Sequence, residues 1–394
     1  MIEEVRQGTR EVQDQVLAVR RHLHAHPELS FQEHDTAAHV AGRLREAGIE
    51  VREGVAGTGL IATLEGGKGS GGEVTLRADL DALPIQELND LPFKSTVPGV
   101  MHACGHDAHT AMVLGAGLVL HALRKDWGGT VRLLFQPGEE KLPGGASLML
   151  KEKALGDPPK GVIIGQHITP ELATGLVGFH PGPFMASADE LYVTVKGKGG
   201  HAAMPHRVID PVLITAHLIT GLQQLVSRRA KPGDPTVLSF GKVTAEGATN
   251  VIPDQVKLEG TLRAFNEEWR EELHTLLPRM AEGIAEAMGG SCEFEVRKGY
   301  PVLVNDPDLT GRLRGVAEDY LGSDRVVTID RRMGAEDFAY YSQVMPACFW
   351  RLGTGNAAKG SDHAQHNPHF DVDEDALPIG TGLMALAALR EVKG

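Results

Sequence analysis

Residues 100–117, VMHACGHDAHTAMVLGAG, place a dense group of metal-binding side chains before an unbroken run of small and apolar residues. The group consists of His102, Cys104, His106, Asp107 and His109. Imidazole and thiolate are ligands that zinc and related transition metals prefer. A single Cys-x-His pair is weak support for a metal site, because free cysteine is often buried for packing alone. The segment therefore indicates a metal site only if other parts of the chain bring further ligands to it.

Four short apolar runs are typical of buried strands, and helical stretches alternate with them. The runs are VTLRA (74–78), VRLLFQ (131–136), GVIIGQ (161–166) and ACFWRL (347–352), and the clearest helical stretches are 32–47, 109–124 and 375–391. Strands that alternate with helices predict an α/β fold with a mostly parallel sheet covered by helices. Ligands bind beyond the carboxyl ends of the strands in such sheets.

Each of these four runs leads into residues that bind metals or move protons. The residues that follow them are Asp79 and Asp81, then Glu139 and Glu140, then His167, and last a glycine-rich loop with His363, His366 and His369. Each alone has an ordinary explanation, such as a solvated turn or a buried histidine with a hydrogen-bond partner. A single site explains four such segments at one edge of the sheet better than four unrelated coincidences do.

The expected site holds two metal ions. Its expected ligands are Cys104, His106, Glu140, His167 and His366. Five ligands exceed the four of a closed structural zinc site and indicate two ions roughly 3.5–4 Å apart, as in two-metal hydrolases. Glu139 is then free to act as the general base that deprotonates the attacking water, and Asp81 is expected to orient a histidine ligand or to tune the base. Zinc is the expected metal, with manganese, cobalt and nickel as alternatives.

The middle of the chain has a different pattern, which predicts an inserted α+β domain. Strands are expected at 190–197, 236–245, 254–265 and 291–299, and amphipathic helices at 210–228 and 267–289. The order β-α-β-β-α-β predicts one helical layer on one sheet. The expected domains are therefore 1–184 with 299–394, and an inserted domain at 185–298.

Composition and charge exclude several classes of partner. The chain has 394 residues and a formal net charge of −13, which argues against nucleic acid and anionic membranes as partners because both need a basic face.

No apolar run approaches the ~18–20 residues of a membrane span, and the charged N-terminus lacks the features of a signal peptide. Three widely spaced cysteines imply no disulfide framework and predict a cytoplasmic protein. HExxH and GxSxG motifs are absent, as is HxE with CxxC.

Seven motifs together resemble the aminoacylase/carboxypeptidase family of dinuclear metallohydrolases. In chain order they are HAHPELSFQE, RADLDALPI, MHACGHDAH, FQPGEE, GKGGHAAMPH, TNVIP and MGAEDFAYY. They are most similar to the amidohydrolase branch, which includes hippurate hydrolases, N-acyl-amino-acid amidohydrolases and indoleacetyl-amino-acid hydrolases. Cys104 separates this branch from relatives that use an aspartate in that region. The resemblance implies the five ligands named above, Glu139 as base and proton shuttle, and Asp81 as the catalytic aspartate behind a ligand; which ligand bridges the ions stays open.

The resemblance also implies that the inserted domain serves as a lid and dimerisation domain in a homodimer or a dimer of dimers. His201 of GKGGHAAMPH would stabilise the oxyanion of an active site, often that of the partner subunit. Asn250 and Arg263 would bind the substrate carboxylate. An equal alternative is that both are ordinary residues in contact with solvent at the edge of a strand. Gly334 belongs to a loop that would line the substrate pocket.

The expected reaction is metal-assisted hydrolysis of N-acyl amino acids, with acetyl, benzoyl or similar groups, to a carboxylic acid and a free amino acid. One alternative within the same chemistry is a carboxypeptidase or dipeptidase that acts on short peptides. Another is a non-catalytic ligand-binding protein of the same fold, against which the complete set of ligands and Glu139 argues.

Overall fold

A computed structural model describes residues 1–393. The chain forms two compact units. The larger unit contains Met1–Gly182, Val304–Asp330 and the chain from Asp337 onward. The inserted unit contains Pro183–Leu303 together with the short segment Arg331–Glu336. The sequence did not indicate that this short segment, which includes Gly334, is part of the second unit.

Strands and helices are interspersed along the chain, with several strands following one another directly in places. In chain order the strands are β1 (Glu50–Val55), β2 (Gly59–Glu65), β3 (Glu73–Asp79), β4 (Thr130–Gln136), β5 (Val162–Ala173), β6 (Val177–Phe179), β7 (Gly182–Met185), β8 (Asp189–Lys196), β9 (Gly200–His201), β10 (Thr236–Ala245), β11 (Val251–Ile252), β12 (Gln255–Ala264), β13 (Ser291–Lys298), β14 (Leu303–Asn305), β15 (Val326–Thr328) and β16 (Ala347–Gly355). The helices are α1 (Ile2–Ala25), α2 (His34–Glu46), α3 (His106–Ala122), α4 (Gly145–Lys151), α5 (Pro211–Gln224), α6 (Glu267–Ala287), α7 (Pro307–Leu321), α8 (Ala339–Ser342) and α9 (Ala376–Glu391).

The larger unit is built on an eight-stranded sheet in the order β1-β2-β4-β3-β5-β16-β6-β15. The central pairs β4/β3, β3/β5 and β5/β16 are parallel, whereas β1/β2, β2/β4 and β16/β6 are antiparallel. The prediction of a mainly parallel α/β sheet is therefore confirmed. The four predicted strands form its centre because their continuous apolar sequences suit burial on both faces.

The helices of the larger unit follow their apolar patterns. Helices α3 and α9 are buried along most of their length, which explains why their sequences are apolar on all sides. Fully buried side chains such as Met112, Leu114 and Leu120 of α3 each contribute roughly 1.5–3 kcal/mol of burial free energy. Helix α1 is amphipathic and packs with its buried face on α3 and α9. The N-terminus of α3 is thereby held in a packed layer.

The inserted unit is a four-stranded antiparallel sheet in the order β10-β12-β8-β13 with α5 and α6 packed on it. The order β8-α5-β10-β12-α6-β13 is the β-α-β-β-α-β pattern read from the sequence. Alternate residues of β8 are buried, and the buried residues of α5 and α6 recur mainly at four-residue spacing. Asp210 and Asn266 cap the two helices with their side chains, so both helices begin where the sequence supplies a capping residue.

No helix among residues 1–393 combines the length and the apolar character that a membrane span needs.

Candidate metal centre

Cys104 and His106 lie at the start of α3, on either side of a glycine that the turn requires. Gly105 is the N-cap residue and has a φ of 95°, which favours glycine over residues with a side chain. A Cβ at this position would also lie 2.4 Å from Cγ1 of Ile168. Gly105 therefore allows α3 to begin against β5. The helix starts at His106, three residues before the predicted stretch, so this ligand candidate is fixed on a helix and not on a loop.

His167 lies within β5 and not after it, which corrects the expected end of that strand. Strand β5 continues because β16 pairs with it in parallel register beyond His167. The His167 Nε2 atom lies 3.5 Å from Cys104 Sγ. Residues on two different elements thus place a thiol and an imidazole side by side.

His106 and His167 present their Nε2 atoms in the same way. The Nδ1 atom of His106 is 2.8 Å from the carbonyl oxygen of Asp81, and that of His167 is 2.8 Å from the carbonyl oxygen of Ile168. When Nδ1–H donates to a carbonyl, the lone pair stays on Nε2, which is the arrangement common in metal-binding histidines. The His106 Nε2 atom is buried and has no hydrogen-bond partner. A buried ring nitrogen without a hydrogen-bond partner fits a metal ion that displaces any proton on it.

Glu140 and His366 complete the group from two further segments. The Glu140 Oε1 atom lies 3.3 Å from His366 Nε2 and 4.0 Å from His106 Nε2. The backbone N–H of His366 donates to Ala103, and His366 has a φ of 63°. Such a conformation costs roughly 1–3 kcal/mol in a residue with a side chain and is concentrated at functional sites.

Ligand atoms of the five candidates fall into overlapping groups. Within each of three groups the atoms lie within 4.8 Å of one another: Cys104, His106 and His167; Cys104, Glu140 and His366; and His106, Glu139 and Glu140. The structure therefore brings all five predicted ligands and the predicted base to one place. Because Cys104, His106 and Glu140 are each shared by two groups, the arrangement suits two neighbouring ions better than one.

Asp81 connects two of the candidate ligands. Its Oδ2 atom accepts hydrogen bonds from the backbone N–H of Glu140 at 2.9 Å and from the Ser30 hydroxyl at 2.7 Å. Its Oδ1 atom lies 3.2 Å from His106 Nδ1. Burial alone would raise the pKa of Asp81, but the hydrogen bond and charge of His106 lower it. The geometry suits a carboxylate that orients a ligand.

Asp79 and His109 could also hold a metal together with His106, but their hydrogen bonds favour a supporting role. His109 Nδ1 lies 2.7 Å from Asp79 Oδ1, and its Nε2 accepts the backbone N–H of Ile168 at 3.0 Å. Both ring nitrogens of His109 are thus engaged, one of them by the residue that follows His167. Asp79 also pairs with Arg77 at 2.7 Å.

Arg77 is a buried residue near the site that the sequence did not predict. Its guanidinium contacts Asp79, Gln136 and Asp337 at 2.7, 3.1 and 2.8 Å. The only signal was a charged residue inside the apolar run VTLRA. A buried cation in a central strand requires anionic partners. One of the partners of Arg77 is Asp79, which also contacts His109 at the edge of the site.

Burial shifts the pKa values of two candidate ligands in opposite directions. Burial, aided by the charge of Glu140, raises the pKa of the Cys104 thiol to about 12. A metal must therefore displace the thiol proton when it binds. Burial and the nearby Arg351 hold the pKa of His167 well below its usual range, so this imidazole is in the neutral form that binds metal.

The remaining predicted site residues belong to the inserted unit. His201 of β9 pairs with Val251 of β11 and is exposed. The carbonyl of Asn250 accepts the backbone N–H of Ala202, so the structure brings His201 and Asn250 into one small substructure. Arg263 lies on β12, where its Nε–H donates to the Thr261 hydroxyl at 3.0 Å. Gly334 lies in the segment Arg331–Glu336.

The sequence of the chain matches a known protein family. The model of the family described as "Peptidase family M20/M25/M40" matches residues 75–390. The chain is 40% identical over 375 residues to an N-acetylcysteine deacetylase of Bacillus subtilis, covering 95% of this chain and 96% of that protein. It is 36% identical over 395 residues to thermostable carboxypeptidase 2 of Saccharolobus solfataricus, covering 99% of this chain and 98% of that protein.

A solved structure agrees with these relatives. The YXEP protein of Bacillus subtilis, described as a dinuclear metal-binding peptidase from the M20 family, superposes with a TM-score of 0.83 at 36% identity, covering 97% of this chain and 99% of that one. The family resemblance and the expectation of a metal-dependent hydrolase are confirmed.

Proposed function

The chain belongs to peptidase family M20/M25/M40, and we propose that within this family it hydrolyses the amide bond of N-acyl amino acids to a carboxylic acid and a free amino acid. The observation that carries the proposal is the overlap of ligand groups at Cys104, His106 and Glu140. The similarity to an N-acetylcysteine deacetylase supports the choice of an N-acyl substrate.

The proposed cofactors are two divalent cations, with zinc as the expected metal and manganese, cobalt and nickel as alternatives. They would be held by Cys104, His106, Glu140, His167 and His366. Bound cations would supply Lewis acidity at the acyl carbonyl and lower the pKa of a water molecule.

Proton transfer is assigned to Glu139. This carboxylate is 7% exposed, and one of its oxygens lies within 4.8 Å of ligand atoms of His106 and Glu140. Glu140 also faces His366, so the adjacent carboxylates have different surroundings. In the proposed reaction Glu139 takes a proton from the attacking water and later delivers it to the leaving amine. Asp81 keeps His106 and the Glu140 backbone in place during both transfers.

Four residues of the inserted unit complete the proposal. His201 donates a hydrogen bond to the oxyanion that forms when the amide carbonyl is attacked, either in its own subunit or in a partner. Asn250 and Arg263 bind the substrate carboxylate, for which the planar guanidinium is well suited. Gly334 lies in a segment that lines the substrate pocket. The inserted unit also serves as lid and dimerisation domain.

The proposed assembly is a homodimer or a dimer of dimers, and the partner molecules are N-acyl amino acids or short peptides. In such an assembly a partner subunit would cover exposed apolar side chains of the inserted unit, among them Leu213 at 51% and Val243 at 51% exposure. The net charge of −13 supports the absence of nucleic-acid and anionic-membrane partners. A cytoplasmic location is proposed because Cys104, Cys292 and Cys348 are all free thiols.

A second candidate function is that of a carboxypeptidase or dipeptidase. The 36% identity to a thermostable carboxypeptidase over nearly the whole chain favours it. Both reactions cleave an amide beside an amino acid, so the same centre would serve either substrate.

The deciding experiment combines metal analysis of the purified protein with a substrate panel. We expect two divalent ions per chain and higher kcat/KM for N-acetyl and N-benzoyl amino acids than for free dipeptides and longer peptides. Preference for peptides would establish the second function. A protein that binds no metal and turns over neither class would contradict both.

A further inference from the structure

A second cluster of charged side chains lies in the larger unit, outside the metal centre. Its centre is Arg20 of α1, which is 1% exposed. The guanidinium pairs with Asp107 at 3.1 Å, with Glu374 at 3.0 Å and with Asp371 at 2.5 Å, and it stacks on Phe93 with 4.8 Å to the ring centroid. We call these five residues the Arg20 cluster.

The three carboxylates of the Arg20 cluster come from two segments that carry candidate metal ligands. Asp107 directly follows His106 in the first turn of α3. Asp371 and Glu374 lie between His366 and the start of α9. The chain around His366 is not in a helix or strand, so its position depends on such side-chain contacts and on the hydrogen bond from His366 to Ala103.

A second arm strengthens the same connection. His24 Nδ1 lies 2.8 Å from Asp107 Oδ2, and His24 Nε2 lies 3.1 Å from Glu87 Oε1. Asn89 donates to Glu87 and to the carbonyl oxygen of Phe370. The loop that contains Glu87 is therefore attached both to the first turn of α3 and to the segment after His366.

The physical properties of the Arg20 cluster suit a group that holds two segments of the chain at a constant distance. A buried cation surrounded by carboxylates cannot shift without leaving charges uncompensated. A guanidinium also holds several carboxylates at defined angles while it stacks on an aromatic ring, which a lysine ammonium cannot do. Any movement of the His366 segment away from α3 would break these contacts.

We propose that Arg20 is a positioning residue that fixes the His366 segment against the first turn of α3, and thereby sets the distance between the parts of the metal centre that carry His106 and His366. The inference rests on the proposed function, because it assumes that these residues bind the two cations. In this role Arg20 acts through Asp107, Asp371 and Glu374 and is not itself a ligand.

The test compares Arg20→Lys with Arg21→Lys as the matched control. Arg21 is the next residue on α1, pairs with Glu374 and stacks on Phe93, but no contact joins its side chain to Asp107 or Asp371 among the described hydrogen bonds and ion pairs. Co²⁺ binding is measured by dialysis and by the visible absorption of the bound ion. The kinetic constants kcat and KM are measured with an N-acetyl amino acid as substrate. Circular dichroism shows whether each variant is folded.

We expect Arg20→Lys to weaken the binding of one of two Co²⁺ ions by about tenfold or more and to lower kcat at saturating Co²⁺, with KM little changed. Arg21→Lys should match the wild type in all three measurements. A folded Arg20→Lys protein with wild-type Co²⁺ affinities and kcat would overturn the inference.

Two further outcomes are separated by the design. If Arg20→Lys does not fold, Asp371→Asn decides by the same criteria, because Asp371 is 17% exposed and its loss leaves Arg20 with two carboxylates. If the wild type itself binds no Co²⁺ and has no activity, the proposed function fails. A wild type that binds two ions while both cluster variants are indistinguishable from it overturns only the positioning role.

Discussion

Glu140 and His366 meet in the folded protein, with Oε1 of the one 3.3 Å from Nε2 of the other, although the inserted unit lies between them in the chain. Glu139, the neighbour of Glu140, belongs with it to the group around His106, whereas the group that contains Cys104 and His366 includes Glu140. Two adjacent carboxylates thus have separate surroundings, and this difference can be tested by identical substitutions.

Glu139→Gln should keep both metal ions and lose about 10²–10⁴-fold in kcat, because the amide cannot accept the proton of the attacking water. Glu140→Gln is the matched variant, and it should lose metal since a carboxylate ligand is removed. Metal content and kcat are measured on the same samples. Loss of metal from Glu139→Gln would contradict its assignment as the base.

Cys104→Ser should weaken metal binding by about tenfold or more, because a hydroxyl is a poorer ligand than a thiolate for zinc or cobalt. Cys348→Ser is the control, since Cys348 is also buried and burial likewise raises the pKa of its thiol to about 12. Competition with a chelator gives both affinities. Equal affinities in the two variants would remove Cys104 from the ligand set.

His201→Ala should lower kcat by about 10²–10³-fold while metal content stays at the wild-type level, as expected for the loss of a hydrogen-bond donor to an oxyanion. Mixed dimers of His201→Ala and Glu139→Gln subunits should regain activity if His201 serves the partner's active site. Verified heterodimers without activity would restrict His201 to its own subunit, and an active His201→Ala protein would exclude the role.

Asp189 of the inserted unit should make stability depend on acid pH. Burial alone would raise its pKa, but hydrogen bonds from Arg270 and His274 lower it to about 2. Because this pKa is depressed, the stabilisation is fully present above the unfolded-state value of about 3.9 and is lost as pH falls through about 2. The contribution at neutral pH is roughly 2–3 kcal/mol.

Urea unfolding of Asp189→Asn and wild type at several pH values measures this contribution. The difference in unfolding free energy should be largest at neutral pH and shrink as pH falls below about 4. The control Glu271→Gln removes an exposed ion pair with Lys298 and should cost about 1 kcal/mol or less. A difference between Asp189→Asn and wild type that does not change with pH would contradict the assignment.

The central strands, and the segments that carry the candidate ligands, were predictable from the sequence for one physical reason. Buried parallel strands are short continuous apolar runs, and chemically active side chains follow them at one edge, as with Glu139 and Glu140 after β4. His167 was expected directly after the strand but lies within it, because nothing local shows that β16 extends the pairing past it.

Contacts between distant parts of the chain were not predictable in this way. Arg77 stood out only as a charge in an apolar run, and its partner Asp337 is far away in sequence. Arg20 likewise gave no periodic or motif signal that linked it to Asp107 or Asp371. Such ion pairs depend on the completed packing of helices on the sheet, whereas periodicity reports only the local period of burial.

Strand β16 lies between β5 and β6 in the middle of the large sheet, yet the ribosome makes it only after the whole inserted unit. Until β16 is made, the residues up to Gly182 therefore lack the strand that covers this edge of β5, although Cys104, His106, Glu140 and His167 are already present and His366 is still missing. An unpaired strand edge is a surface on which nascent chains associate. Strand β16 precedes His366 by about one short loop in the chain, so the strand that covers this edge and the last candidate ligand are made one after the other.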